Sequence, residues 1–224
     1  MAKIVRRKAD ESLAITQAKQ TQPEHQNASF DLDEISRLIR QRRSIFPPQY
    51  SDEVIPREKI ELLLENAHWA PSHGRTEPWF FKVFHGDALA RFGKVHAELY
   101  KEHMDEDKFK PMKYDKLKLR AMQCSHIIAI CMKRGHKPKI PVIEEVEAVA
   151  CAVENLWLTA TALGIAGYWS SGGMTYHQSM KDFLGLGEAD QCLGFFMLGM
   201  PKEDAWPTGK RENPWQDKVE WISE

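Results

Sequence analysis

Apolar residues recur along this chain in two rhythms, one helical and one alternating, and together they predict helices and strands in mixed order. Leu32, Ile35, Leu38 and Ile39 fall at helical spacing, and Asp31 or Asp33 could cap the helix they predict. Pro47-Pro48 forbids continuation, so that helix should end near Arg43. Pro56 suits the first turn of a second helix, with Ile60, Leu63, Leu64 and Ala67 on one face and a stop at Pro71. Residues 79–84 (Trp79-Phe80-Phe81-Lys82-Val83-Phe84) read as a strand, and Gly86-Asp87 turns the chain into an amphipathic helix through about Tyr100. Residues 125–132 read as a buried strand, 165–170 as another, 176–184 as a helix and 193–198 as a last strand.

The longest helical pattern spans residues 142–163. Val146, Val149, Ala150, Val153, Leu156, Trp157, Ala160 and Leu163 form its main stripe, while Ala148, Cys151 and Ala152 add apolar surface elsewhere. A helix apolar on more than one face is buried in a core or in an interface. Gly164 should end it. Residues 101–120 are densely charged and interrupted by Pro111, which predicts a mobile excursion with a short helix. Residues 1–30 are polar and contain Pro23, which predicts a flexible arm with some helical character at 10–19. A single domain then covers 31–224, and from Pro201 onward it is an extended arm bearing Pro and Trp.

The totals narrow the class. At 224 residues the chain can bury a substantial core, and 42% hydrophobic residues is ordinary for a globular protein. A net charge of −1 leaves no electrostatic footprint for nucleic acid or anionic lipid. No apolar run reaches the roughly 18 to 20 residues that span a bilayer, and the basic start lacks a signal core. Cys124, Cys131, Cys151 and Cys192 form no C-x-x-C and read as reduced thiols, with Cys124 and Cys131 flanking a core strand. The expectation is therefore a cytoplasmic protein with no nucleic-acid or membrane partner. The nine His are scattered without H-E-x-x-H, so no metal site is expected. There is no G-x-G-x-x-G or P-loop motif.

The chemistry sits in a few clusters. Arg42-Arg43-Ser44 offers two guanidinium forks and a hydroxyl, the groups best matched to a phosphate. The same cluster also fits a solvated helix end, and Asp52-Glu53 could pair with its cations. Ala70-Pro71-Ser72-His73-Gly74-Arg75-Thr76-Glu77-Pro78-Trp79 is a turn-rich loop that could set donors against a flat heterocycle, or simply join a helix to a strand. Trp69 fits core packing or a place over a ring, with core packing favoured. Trp206, Trp215 and Trp221 fit an arm anchored on another surface, plausibly that of a second subunit.

Taken together these segments resemble the nitroreductase family. That family has R-[RH]-S closing the first helix and A-P-S-x-x-N-x-Q-P-W further on. The resemblance continues at Gly167-Tyr168-Trp169-Ser170-Ser171-Gly172-Gly173, at Phe195-Phe196-Met197-Leu198-Gly199-Met200-Pro201 with its G-x-P turn, and at Lys210-Arg211-Glu212-Asn213-Pro214, similar to a K-R-x-x-P tail. It implies an α+β fold, a mostly antiparallel central sheet wrapped by helices, dimeric, with FMN at the homodimer interface. It further implies that Arg42, Arg43, Ser44, Lys210 and Arg211 hold the phosphate and ribityl chain. His73 and Arg75 would reach toward the ring, possibly in the partner's site, and Ser170, Ser171 and Gly172 would line its other side. The implied activity is an oxidoreductase passing electrons from NADH or NADPH to a nitroaromatic or quinone by ping-pong hydride transfer. Flavin N5 does the chemistry, with no catalytic side chain. Alternatives on the same fold are a non-catalytic flavin-binding or storage protein, and a specialised dehalogenase or dehydrogenase. Three positions depart from the family pattern: Phe46 replaces a cation near the ring, and Arg75 and Glu77 replace the loop Asn and Gln. Arg75 or His73 would then supply the missing charge beside the reduced ring.

Overall fold

The structure is a computed structural model and describes residues 30–137 and 139–223. The predicted flexible arm at residues 1–30 falls almost wholly outside the described residues. Four strands, β1 (Trp79–His85), β2 (His126–Met132), β3 (Ala166–Ser170) and β4 (Gln191–Gly199), form one sheet. Its order is β1-β2-β4-β3, and every pairing is antiparallel.

Both faces of the sheet are covered, which is why its central strands read as continuous apolar runs rather than alternating ones. Successive β2 side chains still go to opposite sides. Ile128, Ile130 and Met132 join one core with Phe196 and Leu198 of β4, under α2 (Arg57–His68) and α5 (Val142–Ala162). Ile127, Ala129 and Cys131 join the other with Phe195 and Met197, under α3 (Asp87–His103), α4 (Pro111–Met122) and α6 (Gln178–Leu184). A bulge between Ile130 and Cys131 lets β4 change parity at Gly194, whose φ is 138°. A Cβ there would sit 2.3 Å from the Trp169 Nε1.

Two expectations change. Residues 101–120, predicted as a mobile excursion, contribute most of the twelve-residue helix α4, which packs on α3. The helices meet at Gly93, where an added Cβ would stand 2.9 Å from both the Ala121 Cβ and the Lys118 carbonyl. Trp69 is not a core residue: it caps the end of α2 and is 72% exposed. The other boundaries lie within a few residues of prediction. Asp31 is the residue that caps α1 (Leu32–Gln41), its carboxylate accepting the N–H groups of Asp33 and Glu34 at 2.9 and 3.0 Å. Gly164, at φ +69°, follows α5 in the left-handed conformation.

Candidate cofactor site

Helix α1 runs out at Gln41, and the chain then extends along the free edge of β3. The Ile45 N–H donates to the Gly167 carbonyl at 3.1 Å, and Ser44 forms a parallel bridge with Gly167. From the other side Tyr50 fastens the same segment. Its buried hydroxyl lies 2.7 Å from the Ile45 carbonyl and 3.0 Å from that of Met197. Burial pushes the Tyr50 hydroxyl far above the usual phenol range, so it stays a donor. Gly199 makes room for it, since a Cβ there would lie 2.4 Å from the Tyr50 ring.

The two arginines have different surroundings. The Arg42 guanidinium lies 4.3 Å over the Trp157 ring, and its Nε is 3.5 Å from a Glu154 carboxylate oxygen. The carboxylate beside it is therefore Glu154 of α5, not Asp52 or Glu53. Arg43 donates from Nη1 to the Arg42 carbonyl at 2.6 Å. Its buried Nε has no partner, the single such side-chain atom among the described residues. The C-terminal arm crosses directly over this guanidinium: a Cβ on Gly209 would fall 1.3 Å from Nη2. Lys210 and Arg211 follow at once and, with Glu212, Trp215 and Lys218 of the same arm, line an open cleft. The arm is held there by the Trp206 indole N–H, which donates to the Gln41 carbonyl at 2.9 Å. Trp206 thus anchors on its own chain, while Trp215 and Trp221 remain exposed. Ser44 and Phe46 stand exposed beside this cluster.

Ser170, Ser171 and Gly172 lie at the far end of β3 from Ser44, along a path marked by rings. Phe46 packs on Tyr168 with centroids 4.6 Å apart, and the Arg120 guanidinium of α4 is 5.9 Å from the Tyr168 ring. Ser170 is buried at this end, and His96 of α3 accepts the Met174 N–H at 3.2 Å through Nε2. Burial, helped by Arg120 and Lys113, pushes the His96 pKa down to about 4, so its imidazole is neutral.

His73 and Arg75 belong to a different corner. Their loop precedes Trp79, whose neighbour in β2 is Met132, whereas Ser44 lies beside Gly167, level with Leu198 and His126. β1 and β3 are opposite edges, and these are opposite ends of them. At about 3.3 Å per residue and 4.8 Å per strand, the separation is on the order of 25 Å. One chain therefore sets Gly209, which Lys210 and Arg211 follow, against Arg43 beside Ser44, but leaves His73 and Arg75 far from them. The loop itself is well held. Ser72 Oγ accepts the Glu77 N–H at 3.2 Å, and Arg75 and Glu77 adopt positive φ of 56° and 44°. His73 Nδ1 pairs with Glu144, and Lys137 donates to the Gly74 carbonyl. Sequence reasoning gave no role to Tyr50, nor to Gly209 at the head of the cationic tail, because both signal only through contacts distant in sequence. It also passed over the cations of α4, whose signal was their common helical face.

The sequence profile of the nitroreductase family matches residues 39–200. The chain belongs to that family. It is 29% identical over 145 residues to "Putative NAD(P)H nitroreductase YdjA" of Escherichia coli (strain K12), covering 65% of this chain and 77% of the other. Its fold is similar to that of a nitroreductase-like family protein from Bacillus cereus, with a TM-score of 0.73 at 24% identity over 88% of this chain and all (100%) of that one. It is also similar to the FMN-dependent nitroreductase NfnB of Mycobacterium smegmatis, solved with NADPH. There the TM-score is 0.67 at 18% identity, over 86% of this chain and 100% of the other. These two likenesses speak for the fold, an α+β nitroreductase-like architecture with the antiparallel sheet between helical layers. Among the described residues no helix is long and apolar enough to cross a membrane.

Proposed function

We propose that this protein is an FMN-dependent oxidoreductase that carries electrons from NADH or NADPH to a small oxidised acceptor of the nitroaromatic or quinone type. The observation that carries the reading is Arg43. A half-buried guanidinium with a buried, unpartnered Nε, covered by a glycine that two further cations follow, is suited to an oxyanion arriving between the β3 edge and the arm. Family membership supplies the cofactor class, and these groups fit its phosphate. Bound FMN supplies the ring that accepts and donates hydride, and no side chain needs to act as acid or nucleophile.

The residues then divide the work. Arg43, Lys210 and Arg211 neutralise the phosphate, with Arg42 beside them, and the Ser44 hydroxyl can donate to the phosphate or ribityl chain. Tyr50 keeps the segment rigid against β4, which reduces the ordering cost of binding. Ser170, Ser171 and Gly172 border the ring. His73 and Arg75 complete the site from a second copy of the chain, because their own corner lies too far away. The exposed Leu32, Ile35 and Ile39 of α1, Ile143 of α5 and Trp221 of the arm provide apolar surface for that homodimer. A cytoplasmic setting suits the four unpaired cysteines.

Steady-state kinetics test this reading. NAD(P)H oxidation by the FMN-loaded protein should give parallel double-reciprocal lines against acceptor, the mark of a ping-pong cycle. Intersecting lines, or no acceptor-dependent oxidation, would refute it.

A further inference from the structure

Lys113, Lys116 and Arg120 project from one side of α4, at steps of three and four residues. All three line a cavity of about 250 Å³ whose opposite wall includes Ser170, Gly172 and Gly173, where β3 ends. Among the described residues no carboxylate pairs with any of them. Lys113 lies 4.5 Å over the Tyr100 ring and Arg120 beside Tyr168, so both stems are ordered by aromatic neighbours. The cavity carries no negative charge, because no carboxylate is among its lining residues, and His96 Nε2 is committed to the Met174 N–H. Glu98 on the adjoining helix accepts the Tyr114 hydroxyl at 2.6 Å and does not line the cavity. Three uncompensated cations around a partly enclosed space set up a positive field that a bound oxyanion would satisfy.

We propose that this cavity receives the oxyanion of a small substrate, a carboxylate, sulfonate or phosphate, next to the Ser170–Gly172 turn, and so selects acidic substrates over neutral ones. The inference rests on the reading above that this turn borders the cofactor ring. The cavity is smaller than the roughly 300–1,000 Å³ of sites for drug-sized ligands, which suits one ring with its charged group or a single phosphate. Arg120 presents the bidentate fork, and the two lysines act as point charges. Two substrates can bring such a group: an acidic acceptor, or the donor through the extra phosphate that distinguishes NADPH from NADH.

The experiment measures kcat/KM for 4-nitrobenzoate against 4-nitrobenzyl alcohol, and for NADPH against NADH. It uses wild type, Lys116→Gln and the double variant Lys116→Gln/Arg120→Gln. Calorimetry of benzoate and of inorganic phosphate is run on the same proteins with and without FMN. The wild type should favour the charged member of one pair by about tenfold or more, the scale of one charge-assisted contact. That ratio should fall severalfold in Lys116→Gln, an exposed position that leaves packing intact, and approach unity in the double variant. Loss of the acceptor ratio assigns the pocket to an acidic acceptor, and loss of the donor ratio assigns it to the NADPH phosphate. Turnover with no charge preference in either pair, or ratios that the variants leave unmoved, would overturn the pocket. If no acceptor is turned over, the functional reading fails instead, and calorimetry judges the pocket alone. Benzoate or phosphate binding that the double variant loses sustains it, and no binding to the wild type overturns it.

Discussion

Arg42 and Arg43 are adjacent and chemically identical, yet the structure assigns them opposite thermodynamic signatures. Replacing Arg43 with Gln removes a half-buried guanidinium whose buried Nε has no partner and whose Nη1 bonds only the neighbouring Arg42 carbonyl. An orphaned buried donor costs about 1–3 kcal/mol, so the flavin-free protein should be unharmed or slightly stabilised. The same change removes a charge-assisted contact to the FMN phosphate, worth about 1.5–3 kcal/mol, which weakens binding by roughly ten- to 150-fold. Arg42→Ala breaks a half-exposed ion pair with Glu154 and a stack on Trp157. These contribute about 0–1 and 0.5–2 kcal/mol, so the flavin-free protein should melt lower by about 2–4 °C for each kcal/mol lost. Gly209→Ala is the control that leaves every charge in place: its Cβ would displace the Arg43 guanidinium and weaken FMN binding in the same direction. Flavin titration and melting of the flavin-free proteins read both axes. An Arg43→Gln protein that binds FMN like wild type, or that loses as much stability as Arg42→Ala, would refute the reasoning.

Three further outcomes follow from the same geometry. If His73 and Arg75 complete the site from a second copy, dilution to monomer should release FMN and added FMN should raise the melting temperature, whereas a monomer retaining stoichiometric flavin in sedimentation would contradict the shared site. His96 takes up a proton near pH 6.5 when unfolded but only near pH 4 in the fold, so stability should drop by about 3 kcal/mol as pH falls through that window. Burial lowers His126 in the same direction. His96→Gln should flatten the slope of melting temperature against pH, and an unchanged slope would remove His96 from the account. Third, a cation near the reduced ring raises the midpoint potential, so Arg75→Met should lower that of bound FMN by about 30 mV for each 1.4 kcal/mol of lost stabilisation. His73 is already paired with Glu144, so His73→Gln should move the potential less, and an unshifted potential in both variants would take this loop out of flavin tuning.

The elements were legible where the hydrophobic rhythm is clean. Pro47-Pro48, Pro56 and Gly164 punctuate the chain where helices end or begin, and the apolar run of β2 announced a strand covered on both faces. Helix α4 was hidden because its four cations, Lys113, Lys116, Lys118 and Arg120, outnumber the three residues, Tyr114, Leu117 and Ala121, that meet α3 or the core. Trp69 misled because a large aromatic at a helix end can cap it without entering the core. In the site, composition and order pointed to Arg42-Arg43-Ser44 and Lys210-Arg211, and the fold does set the arm over Arg43. What separates Arg42 from Arg43 comes from Glu154, Trp157 and Gly209, all more than a hundred residues away, so no local pattern could reveal it. The same holds for the diagonal across the sheet that parts His73 and Arg75 from Ser44, which exists only once strand order is known.

The most direct test of the central claim is the visible spectrum of the FMN-loaded protein, recorded without oxygen while NADH or NADPH is added and then a nitroaromatic or quinone. The account predicts that the oxidised-flavin bands bleach with one or both donors and return when the acceptor enters, in proportion to electrons delivered. A protein that binds FMN yet stays yellow with both donors, or that bleaches and is not reoxidised by any acceptor of either type, would contradict it.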